Sequence, residues 1–142
     1  MADTRSALPV LLMVSGGSDS MAMLEMACAL RDGKSVDCWT LDICNDGAPP
    51  ALFVLHVNHM LRGKAADEDE RFVRERCDEL GVSCEVQRVD VARIAAEQKR
   101  SGGIEAVARE QRYRLAGEAL ERASAKMGVQ DGIICTAHTL DD

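Results

Sequence analysis

Ser15, Gly16, Gly17, Ser18, Asp19 and Ser20 stand together between two apolar stretches, Leu8 to Val14 and Met21 to Leu30. Residues of these types in this order suit an anion. The two glycines clear side chains from the main chain and permit a positive φ, so a phosphate can approach backbone amides. A helix beginning here adds unpaired N–H groups and the positive end of its dipole. The serine hydroxyls are further donors. A Gly/Ser turn joining a strand to a helix would look the same, but its place between two apolar runs favours a nucleotide. Neither the G-x-x-x-x-G-K-[ST] loop nor the G-x-G-x-x-G fingerprint is present.

Three more groups carry chemistry. In His56-Val57-Asn58-His59-Met60-Leu61-Arg62-Gly63, strand alternation puts His56 and Asn58 on one face and Val57 on the other. His56 reads as a packed strand residue. Asn58, His59 and Arg62 together read as functional, with the backbone here available to adenine and Asn58 or His59 near the phosphates. Glu105, Arg109 and Arg112 share a helix face through i,i+4 and i,i+3 spacing. Glu105 and Arg109 suit one another, whereas Arg109 and Arg112 repel unless an anion or carboxylate lies between them. A solvated face of ordinary ion pairs is the competing reading. In the last group, Asp141 and Asp142 are hard oxygen donors for Mg²⁺ beside a triphosphate, or Asp141 orients His138. A polar helix start explains those three equally well.

The elements that must hold these groups alternate. Strands are expected at Leu8 to Val14, Ala51 to Asn58, Val82 to Val89 and Gly132 to Thr136. Helices are expected at Ser20 to Arg31, Ala66 to Leu80, Asp90 to Lys99 and Ile104 to Met127. The second helix should turn Phe72, Val73, Cys77 and Leu80 inward. The last should bury Ile104, Val107, Ala108, Leu115, Ala119 and Ala123. Lys34 to Pro50 is a long connector whose Trp39, Leu41 and Ile43 alternate, as in a short edge strand or a segment tucking one side chain inward. This order implies an α/β fold, a doubly wound, mainly parallel sheet with helices on both faces. In such sheets ligands bind past the carboxyl ends of the strands, where Ser15 to Ser20, then Asn58, His59 and Arg62, then Asp90, and then His138, Asp141 and Asp142 fall in turn.

Composition narrows the choices. The 142 residues suit one domain with a real core. They are 46% hydrophobic but only 3% aromatic, which fits helices packed on a short aliphatic sheet. No apolar run approaches a membrane span, and the start does not resemble a signal peptide. Cys28, Cys38, Cys44, Cys77, Cys84 and Cys135 include no C-x-x-C pair. They are expected to be free thiols in a reducing, cytoplasmic setting, which argues against a metal cluster or persulfide relay. The net charge of −7 is the wrong sign for a general nucleic-acid binder, so any RNA contact must rest on a local basic patch or on further sequence. The expected continuation beyond Asp142 would complete the next crossover helix.

The Ser-Gly-Gly-Ser-Asp-Ser segment resembles the loop of the PP-loop ATP pyrophosphatases. Taken with His-Val-Asn-His-Met-Leu-Arg-Gly, the acidic run Asp67 to Glu70 with Phe72-Val73, Glu105 to Arg109 with Arg112-Tyr113, and Thr136-Ala137-His138 with Asp141-Asp142, the chain resembles the N-terminal catalytic domain of the tRNA(Ile)-lysidine synthases. The resemblance implies a Rossmann-like fold of the adenine nucleotide alpha hydrolase type. It also implies ATP and Mg²⁺ as cofactors and, as partners, the anticodon loop of tRNA(Ile) and free L-lysine. By the same resemblance Ser15 to Ser20 bind ATP phosphates and Asp19 binds Mg²⁺ or acts near the reacting groups. Arg109 and Arg112 balance phosphate charge or meet the tRNA, with Arg62 and Glu105 beside them, and His138 is catalytic. The tRNA-gripping domains of that family would lie outside this sequence. The oligomeric state stays open, a homodimer included. A tRNA thiolase of the same fold and a non-catalytic ATP-binding module remain the alternatives.

Overall fold

Leu8 to Val14 is unbroken in its apolar character because its strand is covered on both faces. The computed structural model describes residues 8–34, 43, 49–61, 63–98 and 103–137. In chain order these form β1 (Pro9–Met13), α1 (Ser18–Arg31), β2 (Ala51–Asn58), α2 (Lys64–Leu80), β3 (Ser83–Arg88), α3 (Val91–Gln98), α4 (Gly103–Met127) and β4 (Ile133–Cys135). The four strands make one parallel sheet in the order β3-β2-β1-β4. The expected α/β sheet with helices on both faces is therefore present.

Side-chain parity on β1 assigns the two cores. Val10, Leu12 and Val14 pack with Leu24, Ala27 and Cys28 of α1 and with Val73 and Cys77 of α2. Leu11 and Met13 point the other way, onto Leu55 and onto Leu115, Ala116 and Ala119 of α4. α3 covers the start of α4 through Val91, Val107 and Ala108. Burying an aliphatic side chain of this size contributes about 1.5–3 kcal/mol relative to exposure. β1 is thus the best-anchored segment beneath the Gly-Gly loop.

The chain steps from β1 to β2 to β3 in one direction, then crosses back by α4 to β4 on the far side of β1. The order reverses at β1, which opens a crevice beyond the carboxyl ends of β1 and β4.

Two expectations about helix faces need correction. Phe72 is half exposed, because the buried stripe of α2 runs through Glu70, Val73 and Cys77 and Phe72 lies about 100° away from Val73 around the helix. Ile104 is also exposed, since the cluster that α3 forms with α4 ends at Val107. Of the connector residues, Ile43 is buried in the α1/α2 core, which fits the tucked side chain, while Trp39 and Leu41 lie outside the described residues. Cys28 and Cys77 are buried free thiols and Cys84 and Cys135 are half-buried ones; Cys38 and Cys44 lie outside the described residues. Among the described residues no helix is long and apolar enough to cross a membrane.

Candidate functional site

The loop after β1 is held from below and from within. The Val14 N–H donates to the Leu55 carbonyl at 3.0 Å. The Val14 carbonyl accepts from Nδ1 of His56 at 2.7 Å, so that nitrogen carries the proton. His56 is thus the packed strand residue expected, and it fixes the chain one residue before Ser15. Inside the loop the buried Ser20 hydroxyl accepts from the amides of Ser15 at 3.1 Å and Gly16 at 3.3 Å, and donates to the Gly17 carbonyl at 3.1 Å. The Ser15 hydroxyl accepts from the Gly17 amide at 3.3 Å. Ser20 therefore braces the loop, while Ser18 and Asp19 stand exposed on the first turn of α1, where amides have no partner one turn back.

The glycines differ. Gly16 has φ +99°, and a Cβ there would sit 3.3 Å from Cβ of Asp69 on α2. Gly17 has φ −74° and ψ 164°, extended backbone open to any residue. The expectation of positive φ therefore holds for Gly16 alone.

The end of β2 is fixed by a charged network. Asn58 is buried, and its Nδ2 donates to Oδ1 of Asp67 at 3.1 Å and Oε1 of Glu70 at 3.3 Å. Its Oδ1 accepts from the Met60 amide at 2.9 Å, closing a turn in which Met60 takes φ 58°. Glu70, only 6% exposed, receives Nε and Nη2 of Arg88 at 2.9 and 2.6 Å. The Arg88 hydrogen bonds, helped by Asn58 and the charges of Arg88 and Arg74, hold its carboxyl down at about 2 against the cost of burial. Asn58, named with His59 as a residue expected near the phosphates, directs its side chain to α2 and closes the turn that holds His59.

α4 forms the opposite wall. Arg109 and Arg112 place their guanidinium carbons 5.6 and 5.9 Å from the centre of the Tyr113 ring. Among the described residues neither is paired with a carboxylate, and the expected Glu105–Arg109 ion pair is not formed. Arg31, Arg74, Arg76, Arg88, Arg93, Arg114 and Arg122 all have carboxylate partners. Between α4 and the loop lies a cavity of about 560 Å³, floored by Met13, Leu55 and Val57 and walled by Ser15, Ser20, His59, Arg109, Arg112, Tyr113 and Thr136. Burial, the Arg112 charge and His56 push the His59 imidazole below its ordinary value, so it is held neutral. Its Nε2 is buried without a hydrogen-bond partner among the described residues.

A braced Gly-Gly loop at the sheet's switch point, faced by two arginines with no carboxylate partner among the described residues, is now joined by a match over residues 1–142 to the PP-loop domain family. The chain belongs to that family. As a PP-loop domain it is similar to curated tRNA(Ile)-lysidine synthases. That of Chlorobaculum tepidum is 40% identical over 94% of this chain and 34% of its own length. Those of Shouchella clausii and Clostridium acetobutylicum are 38% and 36% identical, over 94% of this chain and 24% of their own lengths. The chain spans about a quarter to a third of the length of these curated relatives.

Of the residues read from the sequence, the fold of this PP-loop domain brings Ser15, Ser20, His59, Arg109 and Arg112 around one cavity, with Gly16, Gly17, Ser18 and Asp19 on the same loop. Asn58 and the exposed Glu105 are not among the lining residues. Arg62, His138, Asp141 and Asp142 lie outside the described residues. Sequence reasoning quoted Tyr113 and Thr136 within the family-like segments but assigned neither a place in the site. A further signal for Tyr113 is that it is the chain's single tyrosine, four residues after Arg109. For Mg²⁺, no three His, Cys, Asp or Glu side chains converge among the described residues. Mg²⁺ characteristically takes one or two carboxylates and fills its shell with phosphate oxygens and water. The exposed Asp19 on the loop fits that donor set.

Proposed function

We propose that this PP-loop domain binds ATP·Mg²⁺ and carries out the adenylation on which lysidine formation depends, in the cytoplasm. The observation that supports it most is the facing of the braced Ser15–Ser20 loop and of Arg109 and Arg112, which have no carboxylate partner among the described residues, across one cavity. The acceptor is the wobble cytidine of tRNA(Ile) with a CAU anticodon. Its O2 attacks the α-phosphorus of ATP, the bond to the β-phosphate breaks, and pyrophosphate leaves. The amine of lysine then attacks C2, the C2–O bond breaks, AMP leaves, and the amine gives up a proton.

Each residue has a physical task in this scheme. The amides at the start of α1 and the Ser15 and Ser18 hydroxyls cradle the phosphates, with Gly16 allowing the approach. Arg109 and Arg112 neutralise charge that concentrates on the leaving pyrophosphate, the kind of placed electrostatic stabilisation that lowers such barriers most. Asp19 would hold Mg²⁺, which supplies charge neutralisation when bound. Lysine's amine has an ordinary pKa of about 10.4, so a base must take its proton at neutral pH. By the family resemblance His138 is a candidate for that step, Asp141 and Asp142 are candidates for Mg²⁺ or for orienting His138, and Arg62 and Glu105 are candidates for contact with RNA or phosphate. Because the anticodon loop is single-stranded, its base enters without opening a duplex.

A tRNA thiolase would need a reactive thiol in the cavity. No cysteine lines it among the described residues, and burial raises the thiol of the neighbouring Cys135. The test is to supply ATP, Mg²⁺, lysine and unmodified tRNA(Ile) and to identify the products. AMP with pyrophosphate, and a nucleoside heavier by one lysine residue, are expected. Release of ADP with orthophosphate would overturn the proposal.

A further inference from the structure

Tyr113 is not explained by binding phosphate. It is 44% exposed on the cavity wall, in a chain whose aromatic residues amount to 3%. A tyrosine hydroxyl adds little where serine hydroxyls, helix amides and two guanidinium groups already serve an anion. The planes do matter. Arg109 and Arg112 lie 5.6 and 5.9 Å from its ring centre, so one aromatic and two cationic planar groups share a patch at the rim of the cavity. Unpaired nucleobases are bound by such planes, through stacking on aromatic rings and on guanidinium groups. Val57 and Leu55 beside it give the apolar floor that the edge of a base tolerates. On a chain of net charge −7, this patch is also where the two cavity arginines are concentrated.

We infer that Tyr113, flanked by Arg109 and Arg112, is a stacking platform for a nucleobase at the mouth of the cavity. The inference rests on the reading of the cavity as a nucleotide site and assigns the base-binding part of it to α4. The base comes from one of two sources, the adenine of ATP or the acceptor base of the RNA, and both present the same π-face.

The experiment uses the whole chain with Tyr113→Leu and Tyr113→Phe variants and three probes. Tripolyphosphate reports the phosphate loop alone, ATP adds adenine, and a hexaribonucleotide containing one cytidine supplies an RNA base. Tyr113→Leu should weaken ATP, the oligonucleotide or both by about 5- to 100-fold, whereas Tyr113→Phe should keep parental binding. Whichever probe is lost names the source of the base. Tripolyphosphate should bind all three proteins alike; its failure to bind the parent would sink the phosphate-site reading separately. Equal binding of ATP and oligonucleotide by parent and Leu variant overturns the platform. So does equal loss in the Leu and Phe variants, since the hydroxyl and not the ring would then matter. Failure of the parent to bind either base-bearing probe overturns it as well. Because the chain has one tyrosine, its ring proton resonances give an independent check that needs no substitution. They should move upfield with ATP or the oligonucleotide and stay in place with tripolyphosphate.

Discussion

Replacing Glu70 by Gln tests whether the network at the end of β2 holds both the fold and the site. The carboxyl of Glu70 sits at about 2, against an ordinary value of 4.5. A difference of roughly 2.5 units corresponds to about 3.4 kcal/mol at about 1.36 kcal/mol per unit, which is a ceiling. The Arg88 side chain is 61% exposed, so solvent screening lowers the expected cost of Glu70→Gln to about 1–2 kcal/mol at pH 7. The sign follows from the depressed carboxyl. Its contribution is full above pH 4.5 and is lost as pH falls from there towards 2, because the unfolded chain takes up the proton first. Urea denaturation of parent and variant, followed by circular dichroism at pH 7, 5, 4 and 3, measures the gap directly. It should be constant from pH 7 to 5 and narrow by pH 3. The variant should also speed hydrogen exchange at the Met60 amide, since Asn58 loses a charged partner while holding that turn. Equal stability at pH 7, or a gap unchanged down to pH 3, would refute the reasoning.

Other outcomes follow from single distances and shifts. Gly16→Ala should cost about 1–3 kcal/mol through its φ of +99° and should weaken ATP binding beyond what the melting temperature explains; calorimetric titration beside a thermal melt separates the two. Gly132→Ala would bring a Cβ to 2.7 Å from Cδ1 of Leu120 and 3.0 Å from the Pro9 carbonyl, so denaturation should show a loss of about 1–3 kcal/mol with ATP affinity at parental level in the folded fraction. Asp19→Ala should abolish turnover with little change in melting temperature, because the residue is exposed; parallel losses would make it structural. His59, lowered by burial, Arg112 and His56, binds its proton more weakly folded than unfolded, so stability should fall as pH drops below about 6.5, and His59→Asn should remove that slope in pH-dependent melts.

The fold was legible where one physical constraint dominated. A strand buried on both faces must be largely apolar, which marked Leu8 to Val14 and the Ala51 to Leu55 part of β2. A tight strand-to-helix turn that takes a positive φ needs a glycine, which marked Gly16. Legibility failed where angle or partner decided. Spacing alone did not say that Phe72 falls off the buried stripe of α2, or that Ile104 lies beyond the reach of α3. Asn58 has the right chemistry for a ligand, but β2 parity turns it to the α2 side, where Asp67 and Glu70 claim its amide. The sequence suggests a Glu105–Arg109 pair, and the folded chain leaves Arg109 beside Tyr113 instead.

The alternation of β1 has a genetic consequence. The Ser15–Ser20 loop is seated on the core that Leu12 and Val14 share with α1, and the arginine wall on the core that Leu11 and Met13 share with α4. The two jaws of the cavity can therefore be shimmed independently, from Leu12 on one side and Leu11 on the other, neither of which lines the cavity. Second-site suppressors of a weakened loop should gather at the even positions of this segment, and suppressors of a weakened arginine wall at the odd ones. Drift within a single strand would then be enough to retune the width of the cavity while its chemical groups stay the same.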